Sequence, residues 1–224
     1  MFRAKFIHIV LVGLTLILLI SGSVLAGDDE MKEVIDKFLP KEGKRTVPIG
    51  MDRNARFAWV DLDNDGNEEL AVYYRDNSNI GVLLLAKEDS KWQPQDQLTG
   101  YGTKLDYVGF HDLDGDEQLE VLIGGGSAQD NKLIIYKLAG EKYKEVAQLD
   151  YHSFSIGDLE GDGALEIASI VGIEGNENVI PSVKLQVHSL IDNAYQTEYE
   201  REFAGSYPNP LLSVPSMKAS KPYL

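Results

Sequence analysis

The sequence predicts an all-β fold, a partial β-propeller of about three four-stranded antiparallel blades with a short N-terminal helix. Three observations carry this. An acid-rich decapeptide occurs three times, as DLDNDGNEEL (residues 61–70), DLDGDEQLEV (residues 112–121) and DLEGDGALEI (residues 158–167). The first acids of successive copies lie 51 and 46 residues apart, a period at which each repeat is one supersecondary block. The flanks of every copy are short β-branched or aromatic runs bounded by Gly, Asn and Asp: FAWV and ELAVYY, YVGF and LEVLI, FSIG and LEIASI.

Taken in order, residues 1–26 read as a secretory signal peptide: Arg3 and Lys5 precede an apolar run over residues 7–20, and Val24-Leu25-Ala26 suits cleavage after Ala26. The alternative is an uncleaved anchor, since residues 6–26 are apolar over about the length that spans a bilayer. Either way the repeats are expected outside the cytoplasm, in the medium or on the cell surface. No cysteine is present, which excludes a lipid-modified cysteine and a disulfide framework. Residues 27–50 form a helix and linker, because Met31, Val34, Ile35, Phe38 and Leu39 recur at helical spacing and Pro40 ends the run. The helix is expected to cap an edge left by an open fan of blades.

Residues 51–205 carry the repeats. After each acidic segment the unit continues as strand, polar turn, strand, polar turn and a weaker strand. The middle strands are IGVLLLAK between DNSN and EDSK, KLIIYKL between SAQDN and AGEK, and VKLQVHSL between GNEN and IDNA. Four strands over about 45–50 residues make one blade. Tyr73, Leu83, Leu85, Ile135 and Val187 are expected to pack between neighbouring sheets. Residues 206–224 form a Pro-containing tail with no closing element. Propellers close with typically four to eight blades, so three alternatives stay open: a truncated form of a longer protein, an open three-blade stack, or a half that closes by self-association.

The acidic segments need their own account. Carboxylates about 4 Å apart repel by roughly 4 kcal/mol per pair at an effective dielectric near 20, so four that converge on one point require a cation. Acids at the first, third, fifth and ninth positions, with a backbone carbonyl near the seventh, can turn toward one centre. The donors are all oxygen, which selects a hard ion, calcium ahead of magnesium, and argues against zinc. Glycine at the sixth position allows the positive φ such a loop requires. An EF-hand also opens D-x-D-x-D-G, but it needs a Glu at the twelfth position between two helices. The twelfth residues here are Val72, Ile123 and Ser169, and the flanks are strands.

The D-x-D-x-D-G-x-x-E-[LIV] loop between two strands, repeated at blade spacing, resembles the FG-GAP and VCBS repeats of integrin-alpha-like β-propellers found on many secreted bacterial proteins. The resemblance covers about residues 57–190 and implies a calcium ion in each loop, up to three in all. It implies side-chain ligands Asp61, Asp63, Asp65 and Glu69; Asp112, Asp114, Asp116 and Glu120; and Asp158, Glu160, Asp162 and Glu166. The carbonyls of Asn67, Gln118 and Ala164 would complete the shells. Two positions depart from the pattern. Glu117 stands where glycine is preferred, a strained backbone position costing of order 1 kcal/mol, and Glu160 is one methylene longer than the Asp expected there.

The net charge of −15, made more negative by loss of the leader, argues against nucleic acid and anionic membranes as partners. No set of groups outside the repeats suggests catalysis. His111 and His152 fall on the approach to an acidic loop, His188 lies in a strand, no G-x-S-x-G elbow appears, and Gly124, Gly125 and Gly126 are expected to open a hairpin loop. The reading is therefore a secreted or cell-surface calcium-binding module that binds an extracellular protein or a cell-wall glycan, and not an enzyme. The alternative is a remnant or part of a polysaccharide-active enzyme built on a propeller. Trp92 and Tyr101, expected between strands, are candidates for a sugar or protein contact, although packing is the commoner use of such residues.

Overall fold

A computed structural model of the chain describes residues 27–49, 51–52, 55–127, 130–173, 182–191 and 194–204. The leader and the tail lie outside these residues. Among the described residues no helix is long and apolar enough to cross a membrane.

The helix α1 (Gly27–Phe38) forms where the sequence places it. Ile35 is fully buried, Met31, Val34, Phe38 and Leu39 pack around it, and Leu39 N–H donates to the Ile35 carbonyl at 3.0 Å. α1 lies against the face of the first sheet that the second sheet leaves uncovered. The strand period explains this. Leu70, Val72 and Tyr74 of one strand, with Leu83 and Leu85 of the next, turn one apolar face toward α1, while Ala71, Tyr73, Val82 and Leu84 turn the other toward the second sheet. Leu83 and Leu85 thus pack beneath the helix and not between sheets, whereas Tyr73 and Ile135 do lie between sheets.

Among the described residues the strands form three antiparallel sheets. The first holds β1 (Lys44–Arg45), β2 (Phe57–Val60), β3 (Glu69–Arg75), β4 (Ile80–Glu88) and β5 (Lys91–Thr99), with β1 and β2 end to end along the same strand β3. The second is β6 (Lys104–His111), β7 (Glu120–Gly126), β8 (Asn131–Ala139) and β9 (Lys142–Asp150). The third is β10 (Ser153–Gly157), β11 (Glu166–Ile173), β12 (Ser182–Ile191) and β13 (Ala194–Ala204). The repeat extends to fine detail. Each sheet shifts register between its third and fourth strands at the same station, opposite Leu84 and Leu85, Ile135 and Tyr136, and Val187 and His188, where the fourth strand carries one extra residue.

Three sequence expectations are revised. The outermost strands β5, β9 and β13 run nine, nine and eleven residues, so they are full strands, paired along a third strand long enough to hold them. Trp92 therefore lies within β5. Gly124, Gly125 and Gly126 are the end of β7, paired with β8, rather than a loop. A Cβ on Gly125 would stand 2.1 Å from Ile80 Cδ1 and 2.7 Å from the Lys104 carbonyl, so glycine is what lets the first two sheets meet there.

One core lies between the first and second sheets, around Val82, Leu84, Val108 and Val121, and another between the second and third, around Leu122, Ile135, Ile167 and Leu190. The order is helix, first sheet, second sheet, third sheet. Val187 is only half-buried, opposite exposed Tyr199 on β13.

Candidate metal centre

Each acidic segment joins the first two long strands of its sheet: β2 to β3, β6 to β7, and β10 to β11. The ninth-position glutamate is the first residue of the second of these strands, so strand pairing carries it inward. Glu69, Glu120 and Glu166 are all buried. Burying a carboxylate requires partners, and the same one appears in every copy. The second residue of the loop donates its N–H to the glutamate Oε2, from Leu62 at 3.0 Å, Leu113 at 2.8 Å and Leu159 at 2.6 Å.

The other acids fold the loop. Asp61 accepts the N–H groups of Asp65 and Gly66; Asp112 accepts those of Gly115, Asp116 and Glu117; Asp158 accepts those of Gly161, Asp162 and Gly163. The fifth acid accepts the N–H of the seventh residue, from Asn67 to Asp65, Gln118 to Asp116 and Ala164 to Asp162. These are Asx turns. The sixth position has positive φ in all three copies, at 87° for Gly66, 68° for Glu117 and 98° for Gly163, so Glu117 does sit in the strained conformation expected of it. The fourth position is left-handed too, at Asn64, Gly115 and Gly161. Sequence reading passed over this second station, although Asn, Gly and Gly are the residues that tolerate it.

The folded loops also bring carboxylates together. In the first loop ligand oxygens of Asp61, Asp63 and Glu69 lie within 4.8 Å of one another, and in the second so do those of Asp112, Asp114 and Glu120. Asp65 and Asp116 stand outside these triads. Among the described residues the third loop assembles no such group: Asp158, Glu160 and Asp162 are exposed, and only Glu166 is buried.

The first two loops differ in what faces the acids. In the first, burial pushes the Glu69 carboxyl up, the Leu62 N–H opposes it, and Asp63, Asp65 and Asp61 add to the rise. No cationic side chain of the described residues reaches Asp61, Asp63 or Glu69. The donor set, all carboxylate oxygen around one point, fits a hard divalent cation. In the second loop the Lys137 ammonium of β8 sits among the acids, 2.8 Å from Asp114 Oδ2, 2.8 Å from Asp116 Oδ2 and 3.0 Å from Glu120 Oε1. Burial raises the Glu120 carboxyl, against the Leu113 N–H and Lys137. Burial would raise Asp116 as well, but its hydrogen bonds with Lys137 and Gln118 outweigh that and hold it below the usual range. Sequence reading missed Lys137; a second lysine following the apolar run LIIY in KLIIYKL was the available signal.

The loops stack along one end of the sheets. Leu119 N–H donates to the Leu62 carbonyl at 3.0 Å and Leu165 N–H to the Leu113 carbonyl at 3.2 Å. The histidines are engaged elsewhere. His111 Nε2 is 2.7 Å from the Tyr107 hydroxyl, and His152 is exposed. His188 lies between Ser169 Oγ at 3.2 Å and Thr197 Oγ1 at 3.1 Å. This last trio has a hydroxyl–imidazole–hydroxyl layout, but Ser169 is 1% exposed and His188 5%, so no substrate carbonyl reaches the serine. No family model matches the sequence, and no curated protein matches it.

Proposed function

We propose that the chain is a calcium-stabilised, propeller-type repeat module of the FG-GAP and VCBS kind, exported from the cell, that binds an extracellular protein or a cell-wall glycan and turns over no substrate. The observation that carries this is the first loop, where Asp61, Asp63 and Glu69 converge on one point with no cationic side chain of the described residues among them. Asp61, Asp63, Asp65 and Glu69 would hold the ion, with Leu62 N–H fixing the buried glutamate from behind. Calcium there supplies the positive charge that lets the carboxylates stay together. For the glycan reading, Trp59 is 43% exposed and lies against Trp92 with ring centroids 5.5 Å apart, an aromatic surface of the kind on which a sugar ring packs.

Extracellular calcium modules bind with dissociation constants of about 10⁻⁴ to 10⁻³ M, so millimolar calcium outside a cell keeps such loops filled. The test is thermal unfolding of the full-length chain in excess EDTA and in several millimolar calcium. At tenfold excess over the dissociation constant one site contributes about 1.4 kcal/mol, a rise of roughly 3–6 °C for a chain of this size. Asp61→Ala should abolish the first loop's share. No rise with calcium would dismiss the metal reading and leave the acids as solvated turns.

A further inference from the structure

The second loop carries its own cation. We propose that the Lys137 ammonium takes the place of a metal ion there, so that this loop folds without calcium and metal binding is confined to loops that lack the lysine. The inference rests on the calcium reading of the repeats and decides which of them can take the ion.

The registers of the three sheets locate the determinant. Val121 pairs with Tyr136, Leu70 with Leu85, and Ile167 with His188. One residue further along the third strand of each sheet, opposite the ninth-position glutamate, stand Lys137, Ala86 and Ser189. Ala86 cannot reach the acids, and Ser189 Oγ donates to Glu198 on β13 instead. Only Lys137 spans the gap, and it arrives buried, 8% exposed. It bridges two acids of the converging triad, Asp114 and Glu120, together with Asp116.

A calcium ion about 2.3–2.6 Å from those same oxygens would be in contact with the ammonium, and two cations about 4 Å apart repel strongly even at an effective dielectric near 20. The two occupants exclude each other. The fixed lysine has the advantage of being tethered: its strand, paired on both sides by β7 and β9, holds it at the site at any calcium concentration.

The test counts calcium by isothermal titration of the full-length, EDTA-stripped chain, as wild type, Lys137→Met and Ala86→Lys. Lys137→Met should bind one equivalent more than wild type and Ala86→Lys one fewer. Unchanged stoichiometry in Lys137→Met overturns the assignment. So does a wild-type equivalent that disappears on Asp112→Asn, because calcium would then already occupy the second loop beside the lysine. If the wild type binds no calcium, the metal reading of the first loop falls, and Lys137→Met alone decides: a gained equivalent upholds the lysine as the excluding group, and none refutes it.

Should Lys137→Met fail to fold in EDTA, hydrogen exchange on the wild type gives the answer. The amides of Leu113, Gly115, Asp116 and Glu117 should slow with calcium no more than the core amides of β7 and β8 do. Slowing of the loop amides beyond that of the core amides, by roughly tenfold at ten times the dissociation constant, overturns the proposal.

Discussion

The second and third units share a loop design down to individual hydrogen bonds, yet they stand in different surroundings. The second sheet is packed on both faces, against the first and the third. The third has its core contacts on the face toward the second. The contrast is sharpest at one station: Leu62 and Leu113 are each 1% exposed, while Leu159, the same residue of the third loop, is 48% exposed. The following loop closes over the first two, through Leu119 and Leu165, and among the described residues none closes over the third. The environment of a repeat is therefore made by its neighbour and not by its own decapeptide.

The most direct way to break this comparison is to truncate the shared leucine. Leu113→Ala should lower stability by about 2–5 kcal/mol, the range for a buried leucine that leaves a cavity, whereas Leu159→Ala should stay within about 0.5 kcal/mol. Urea denaturation midpoints at constant slope read both. Equal losses would mean that something covers Leu159 in solution, and the third unit would no longer be an open end.

A smaller effect separates the same loops at their sixth position. Glu117 holds a φ of 68° and Gly163 one of 98°. A side chain in that region costs about 1–2 kcal/mol relative to a permissive residue, while the Asn64 to Glu117 side-chain bond, exposed and 3.3 Å long, offsets little. Glu117→Gly should therefore stabilise the chain by about 0.5–1 kcal/mol, less than the full strain because glycine also frees the unfolded chain. Gly163→Glu should destabilise it by about the same amount. A destabilised Glu117→Gly would show that the glutamate contributes something beyond its backbone.

What the sequence revealed and what it hid divide along physical lines. The strands, their order and the loop geometry are local: Asp61, Asp112 and Asp158 draw the loop amides onto themselves through turns written into the decapeptide, and the flanking runs declare their period. The side of a sheet on which α1 lies was not legible, because Leu83 and Leu85 look the same whether a helix or another sheet covers them. Nor was Lys137, which acts on acids that precede it by more than fifteen residues through a register that exists only once β7 and β8 pair. The exposure of the third loop likewise depends on what is or is not stacked beyond it, and Asp158 carries no mark of that.

The smallest expected difference lies in acid. His188, buried in the third sheet between Ser169 and Thr197, is held below the usual imidazole value of 6.5 by burial, while Glu200 on β13 acts in the opposite direction. In the unfolded chain the ring takes up a proton as pH falls through about 6.5; in the folded chain it resists. The unfolded state then binds more protons, so stability declines as pH drops below about 6.5 and the decline ends only when the folded ring also titrates. Above that pH the group contributes no slope. His188→Gln keeps a hydrogen-bonding side chain without the titration. Between pH 7.5 and 5.5 the wild type should lose more of its midpoint temperature than this variant, and the excess loss should appear in hydrogen exchange of β11 and β12 before it appears in the second sheet. Equal losses in both proteins would mean that the imidazole meets water in the folded state, and that the third sheet opens more widely at its outer strands than the packing around Ser169 indicates.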